Sequence, residues 1–227
     1  MIKLVTFDVD GTLIDTDEAR YKALLDVLAK NNVNVELDFK DYLEFFYVFQ
    51  PSEWIKKIER FFGIEKTTAE VVLQEWCDEY EKNYWKYSKL FPNTKQEINN
   101  IKSLGIKVGV ISLGRTEDTL KRELEQLGLI HLVDSFKTLY FVESNFFEKR
   151  KKLLERILEL FDVKPEESIH VGDFGTDIEV AKSLGMISVA VKTGHGMFGD
   201  LEKLDPDFVI RHVGSGELLK IILSLSE

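Results

Sequence analysis

The chain has 227 residues, 44% of them hydrophobic with 16 phenylalanines, which is enough for a substantial core plus an insertion and excludes wholesale disorder. A formal charge of −10 argues against a nucleic-acid partner, and an anionic substrate would need a local cation or basic side chains to offset that field. No run approaches the ~20 apolar residues of a membrane-spanning helix and no signal peptide is visible, so a soluble, cytoplasmic protein without a membrane partner is expected.

In chain order, "IKLVTF" (2–7) reads as a buried strand that meets Asp8, Val9, Asp10, Gly11 and Thr12. From 17 to 88 no clear strand follows; helical stretches hold all three tryptophans, broken at "VNVELD", "QPSE" and "FGIEKT". The single cysteine, Cys77, excludes an internal disulfide, fits a reducing compartment, and reads as packing in an aromatic helix rather than as a nucleophile. The rings of this segment fill its own small core, although they could also face a substrate.

Asn93 to Leu104 is helical, with Thr94 and Glu97 spaced as a capping box. "IKVGVIS" (106–112) is a strand ending on Ser112. "TEDTLKRELEQLGL" is a helix stopped at Gly128, and "EKRKKLLERILELF" is amphipathic, with apolar residues at 153, 154, 157, 158, 160 and 161. "SIHVG" (168–172) runs into Asp173, "TDIEVAKSLGM" closes on Gly185, and "ISVAV" (187–191) and "DFVIRHV" (207–213) are further strands. Alternating strands and helices predict an α/β fold, a three-layer Rossmann-like core around a central parallel sheet with right-handed crossovers. The core spans 1–16 and 89–227, and an α-helical cap, 17–88, is inserted between its first two strands.

Ligands of open parallel sheets bind beyond the carboxyl ends of the strands. Asp8 and Asp10, Ser112, and Asp173 with Asp177 all sit at such ends, and one sheet edge would gather them. Like charges this close need a cation, a retained proton, or the solvation of an ordinary turn. Several carboxylates in one crevice favour a hard divalent ion with oxygen ligands, and Mg²⁺ suits a site that also takes phosphate.

"DVDGT" after a strand, Ser112 ending a second, a basic residue before a helix and "GDFGTD" resemble the four motifs of the haloacid dehalogenase-like (HAD) hydrolases, in particular the phosphoglycolate phosphatase-like branch. "VKPEESIHVGD", "AKSLGM" and "DPDFVI" extend the resemblance over nearly the whole chain, and the helical insertion falls where that family carries its small cap. The resemblance implies that Asp8 is the nucleophile, forming an aspartyl-phosphate, and that Asp10 is the general acid and then the base. It implies Mg²⁺ on Asp8, the Asp10 carbonyl and Asp173, with Asp177 orienting rather than ligating. Ser112, Thr12, Leu113 and Gly114 would lie at the substrate, Ser112 bonding the phosphoryl oxygens. A lysine would neutralise developing charge; family spacing falls at Lys149, with Lys151 and then Lys137 as alternatives.

Asp10 separates phosphate esters from organohalides, because an alkoxide needs a proton to leave and a halide does not. Leu113 stands where relatives often have Asn. "GHGMFG" (194–199) spells a dinucleotide fingerprint, yet Pro206 and the next strand arrive too soon for the crossover helix it requires. It reads as a loop near the active-site rim, with His195 solvated. His131, His170 and His212 lack metal-ligand spacing. The expected protein is a Mg²⁺-dependent phosphatase of a small phosphorylated metabolite, monomeric or homodimeric. A phosphomutase and a catalytically retired binding protein are the alternatives.

Overall fold

The computed structural model describes residues 1–47, 54–139, 145–194 and 201–225. The chain divides into two compact units, Met1–Asp15 with Lys89–Glu227, and Thr16–Ser88.

The larger unit is α/β. Its sheet contains β1 (Leu4–Phe7), β4 (Lys107–Leu113), β5 (Ser135–Leu139), β6 (Ser168–Gly172), β7 (Ile187–Val191) and β8 (Phe208–Ile210), in the order β5-β4-β1-β6-β7-β8 and parallel throughout. A two-stranded ribbon, β2 (Ile14–Asp15) with β3 (Lys89–Leu90), joins the points where the chain leaves and re-enters this unit. All four residues of β1 are buried, as expected of a strand covered on both faces. Phe7 pairs with Val110 on one side and Val171 on the other, which sets Ser112 and Asp173 two residues past those partners, beside the end of β1. The strand order reverses at β1, so the ends of β1, β4 and β6 form the switch point of the sheet.

Helices α5 (Thr94–Ser103), α6 (Glu117–Gln126), α7 (Phe146–Phe161), α8 (Gly175–Leu184) and α9 (Glu217–Ser224) cover the sheet. Leu153, Leu154 and Ile157 of α7 pack with Leu4 and Ile111, whereas Ile98 and Ile101 of α5 pack with Val5, Phe7 and Val108. The fold thus has the class its periodicities predict, with local differences at β5 and at the start of α5. β5 carries no strand signal in the sequence, because Ser135, Phe136, Lys137, Thr138 and Leu139 are all half-buried edge positions without an apolar run. Thr94 and Glu97 form no capping box: Thr94 Oγ1 donates to Phe91 O at 2.8 Å, and Glu97 Oε1 accepts from the Leu219 N–H of α9 at 2.9 Å.

The smaller unit contains α1 (Asp17–Lys30), α2 (Phe39–Tyr47), α3 (Trp54–Phe62) and α4 (Lys66–Glu79), ending in one π turn and one 3₁₀ turn. Tyr42, Phe62 and Trp76 are buried with Leu24, Val27, Ile58 and Val72, so these rings fill the unit's own core. Trp76 Nε1–H meets its polar need at Arg20 O, 2.7 Å away. Burial pushes the Cys77 thiol up, away from the thiolate a nucleophile requires.

Among the described residues no helix is long and apolar enough to cross a membrane. Of "GHGMFG" only Gly194 is described; His195, like Phe49 and the "QPSE" break, lies outside the described residues.

Candidate active site

β1 stops at Phe7, and the Asp8 N–H still bonds Val171 O at 2.9 Å. The chain then curls, with the N–H groups of Leu13 and Ile14 each 3.0 Å from Val9 O. Gly11 adopts φ +72°, and a Cβ there would fall 2.4 Å from Asp173 Oδ2. This glycine therefore supplies both the turn and the close approach of the β6 end. Thr12, expected beside substrate, is fully buried, and its hydroxyl donates to Asp173 Oδ1 at 3.0 Å. The two strand ends are thereby tied together.

Asp8, Asp173 and Asp177 are buried and offer carboxylate oxygens within 4.8 Å of one another. Arg150 from α7 enters this cluster: its Nη1 donates to Asp8 Oδ1 at 2.9 Å and also meets Asp177 Oδ1. Three carboxylates outnumber this one guanidinium, and the all-oxygen, buried donor set suits a hard divalent cation. Burial raises the Asp8 carboxyl above its ordinary range; Arg150 opposes that rise and the Asp10 charge adds to it.

Asp177 gives both oxygens to protein donors. Oδ2 accepts from the Phe174 N–H at 3.0 Å, and Oδ1 lies 3.0 Å from His170 Nε2. Burial pushes His170 down to about 3, so the ring is neutral; Nε2–H then faces Asp177, and Nδ1 lies 2.9 Å from the Thr6 hydroxyl, which also donates to Ile169 O at 3.1 Å. This chain orients Asp177 from beneath the site.

The basic group against Asp8 differs from the expectation. Lys149 is half-buried one position earlier in α7, and Lys137 lies in β5, paired with Ile111. Arg150 makes the contact because it shares a helix face with the buried Leu153, Leu154, Ile157 and Leu158. That face was legible: extending the apolar pattern back by one turn lands on 150.

Ser112, next to last in β4, is almost fully buried, and its Oγ accepts from Arg115 Nη1 at 3.3 Å. Leu113 is half-buried, and the Gly114 N–H is bonded to Leu139 O at 3.1 Å. The Asp10 side chain is 27% exposed and is gripped by Arg115: Nη2 donates to Oδ1 at 2.6 Å and Nη1 to Oδ2. No motif in the sequence pointed to Arg115. On the other flank Gly194, at φ +54°, closes over Asp173, where an added Cβ would lie 2.4 Å from Oδ2.

The arrangement gives a buried carboxylate backed by a guanidinium, a cation-competent acid cluster, a hydroxyl, and a second, partly exposed carboxylate. A family model described as haloacid dehalogenase-like hydrolase matches residues 5–191. A protein of Caldanaerobacter subterraneus subsp. tengcongensis, provisionally named pyrophosphatase PpaX, is 32% identical over 100% of this chain and 97% of its own length. The phosphoglycolate phosphatase of Aquifex aeolicus is 28% identical over 92% of each chain. The haloacid dehalogenase-like family protein SP0104 from Streptococcus pneumoniae shares the fold, with a TM-score of 0.77 at 18% identity over 99% of this chain and 98% of its own.

Proposed function

The chain belongs to the haloacid dehalogenase-like hydrolases as a phosphatase, and from that premise we propose that it is Mg²⁺-dependent and hydrolyses a small phosphorylated metabolite through an aspartyl-phosphate on Asp8. The observation that carries this reading is the position of Asp8: buried at the end of β1, one oxygen held by Arg150, inside the cluster with Asp173 and Asp177.

Asp8 attacks phosphorus with its carboxylate, and the leaving oxygen departs with a proton from Asp10. Water then attacks the aspartyl-phosphate and gives its proton to Asp10, which returns Asp8 and releases inorganic phosphate. Ser112 Oγ–H bonds a phosphoryl oxygen. Arg150, rather than Lys149, neutralises the charge that develops on the phosphoryl group, because its guanidinium already touches Asp8. Asp8, Asp173 and the Asp10 carbonyl would hold Mg²⁺, which when bound supplies charge neutralisation for the phosphoryl oxygens. Asp177 orients the cluster. The names of the relatives make phosphoglycolate and pyrophosphate the first substrates to try.

The test is phosphate release from phosphoglycolate, pyrophosphate and an aryl phosphate, each with Mg²⁺ and with chelator, using wild type and Asp8→Asn. Metal-dependent turnover abolished in Asp8→Asn is expected. Turnover retained by Asp8→Asn would refute the nucleophile.

A further inference from the structure

Arg115 is fully buried, three residues beyond Ser112 and next to Thr116, whose hydroxyl caps α6. Its guanidinium meets three side chains among the described residues. The two terminal nitrogens form a fork on the Asp10 carboxylate, one of them also reaches Ser112 Oγ, and Nε lies 2.7 Å from Glu123 Oε2 on α6, itself fully buried. The backbone is fixed as well, because Thr138 Oγ1 donates to Arg115 O at 2.7 Å. A chain of charge thus runs from buried Glu123 through buried Arg115 to the partly exposed Asp10.

Because Arg115 is closed off from solvent, it acts on substrate only through the groups it holds. A planar fork fixes both the direction and the plane of a carboxylate, which a single donor does not. Both Asp10 oxygens accept from Arg115, so the carboxylate is held in one plane and one direction.

We propose that Arg115, braced by Glu123, is a positioning residue that aims Asp10 as the base for the second half of the reaction. In that half a water O–H breaks, its proton goes to Asp10, the water oxygen bonds phosphorus, and the Asp8–phosphorus bond breaks to give free carboxylate and phosphate. The inference rests on the phosphatase reading of the site. A buried ion pair that served stability alone would have no reason to favour one half-reaction over the other.

The two half-reactions separate kinetically. An aryl phosphate with a good leaving group needs little help from an acid, so the first half proceeds without Arg115. Removing Arg115 slows the second half, so kcat falls and KM falls with it while kcat/KM is unchanged.

The experiment uses 4-nitrophenyl phosphate with Mg²⁺ and the full-length wild type, Arg115→Lys, Glu123→Gln and the double variant Arg115→Met with Glu123→Gln, which leaves no unpaired buried carboxylate at 123. Far-UV circular dichroism and thermal unfolding identify the variants that fold, and the two conservative single variants keep the test available if the double variant does not. In folded variants kcat is expected to fall about 100-fold, the lower end of the range typical for general acid–base catalysis. kcat/KM is expected to stay within about twofold, with a nitrophenol burst near one equivalent and acid-stable phosphoenzyme trapped on quenching. Folded variants in which kcat and kcat/KM fall together without a burst, or in which kcat is unchanged, overturn the role of Arg115. A wild type without turnover sensitive to Asp8→Asn overturns the phosphatase reading, and this inference falls with it.

Discussion

Arg150 Nη1 lies 2.9 Å from Asp8 Oδ1, although Lys149, Lys151 and Lys152 flank it on the same helix. Helical phase, about 100° per residue, decides which of four adjacent cations faces the buried carboxylate.

Replacing Arg150 with Met should therefore be severe. It strips a guanidinium from Asp8 and Asp177, and breaking a buried pair from one side costs about 3–5 kcal/mol. Turnover should drop at least about 100-fold, and urea unfolding should show the stability loss. Lys149→Met should change both by little. The reverse ranking in the same two measurements would return the role to Lys149.

Metal should report on the acid cluster without any turnover. If Asp8 and Asp173 hold Mg²⁺, saturating metal raises the melting temperature, because a ligand at 100 times its Kd adds about 2.7 kcal/mol. Asp173→Asn should abolish that response. A shift of equal size in Asp173→Asn would place the cation elsewhere.

Gly194→Ala should damage the site more than the fold. The new methyl would sit 2.4 Å from Asp173 Oδ2 at a φ of +54°, so it strains the backbone by roughly 1–2 kcal/mol and displaces a cation-competent carboxylate. Isothermal titration with Mg²⁺ should show weakened binding in a protein that still unfolds cooperatively. Unchanged affinity would mean that the Gly194 segment can retreat freely.

Glu97 carries a pH-dependent stability contribution of defined sign. Burial raises its carboxyl above the ordinary value, against the opposing effects of the Leu219 N–H and His212. The folded state therefore holds the proton more tightly. Its contribution is complete below the unfolded pKa and is lost as pH rises through the raised folded value. Glu97→Gln keeps an oxygen for Leu219 N–H without the charge, so it should match or exceed wild-type stability at about pH 7 and lose that advantage at about pH 4, near the ordinary carboxyl pKa. Glu97→Ala orphans the N–H and should cost about 1–3 kcal/mol at both. Urea melts at the two pH values check this; a Glu97→Gln that is less stable at pH 7 would contradict it.

What the sequence determined by itself was the α/β class and the positions of Asp8, Asp10, Ser112 and Asp173, because β-branched runs mark strands and reactive groups at their ends stand out against apolar surroundings. The inward face of α7 was also written there, as a helical spacing that passes through Arg150. Tertiary structure alone decided three things. β5 became a strand through its pairing with β4, because its half-buried residues carry no apolar signal. Glu97 was drawn from its own helix cap to the N–H of Leu219, 122 positions away. Arg115 follows a glycine in a loop, where an arginine ordinarily reads as solvated. Only the packing of α6, which brings Glu123 under it, and the turn of β1, which brings Asp10 over it, give that guanidinium its partners. Local pattern encodes which face of an element is apolar, but a charge-to-charge contact between remote segments exists only once the sheet has set their register.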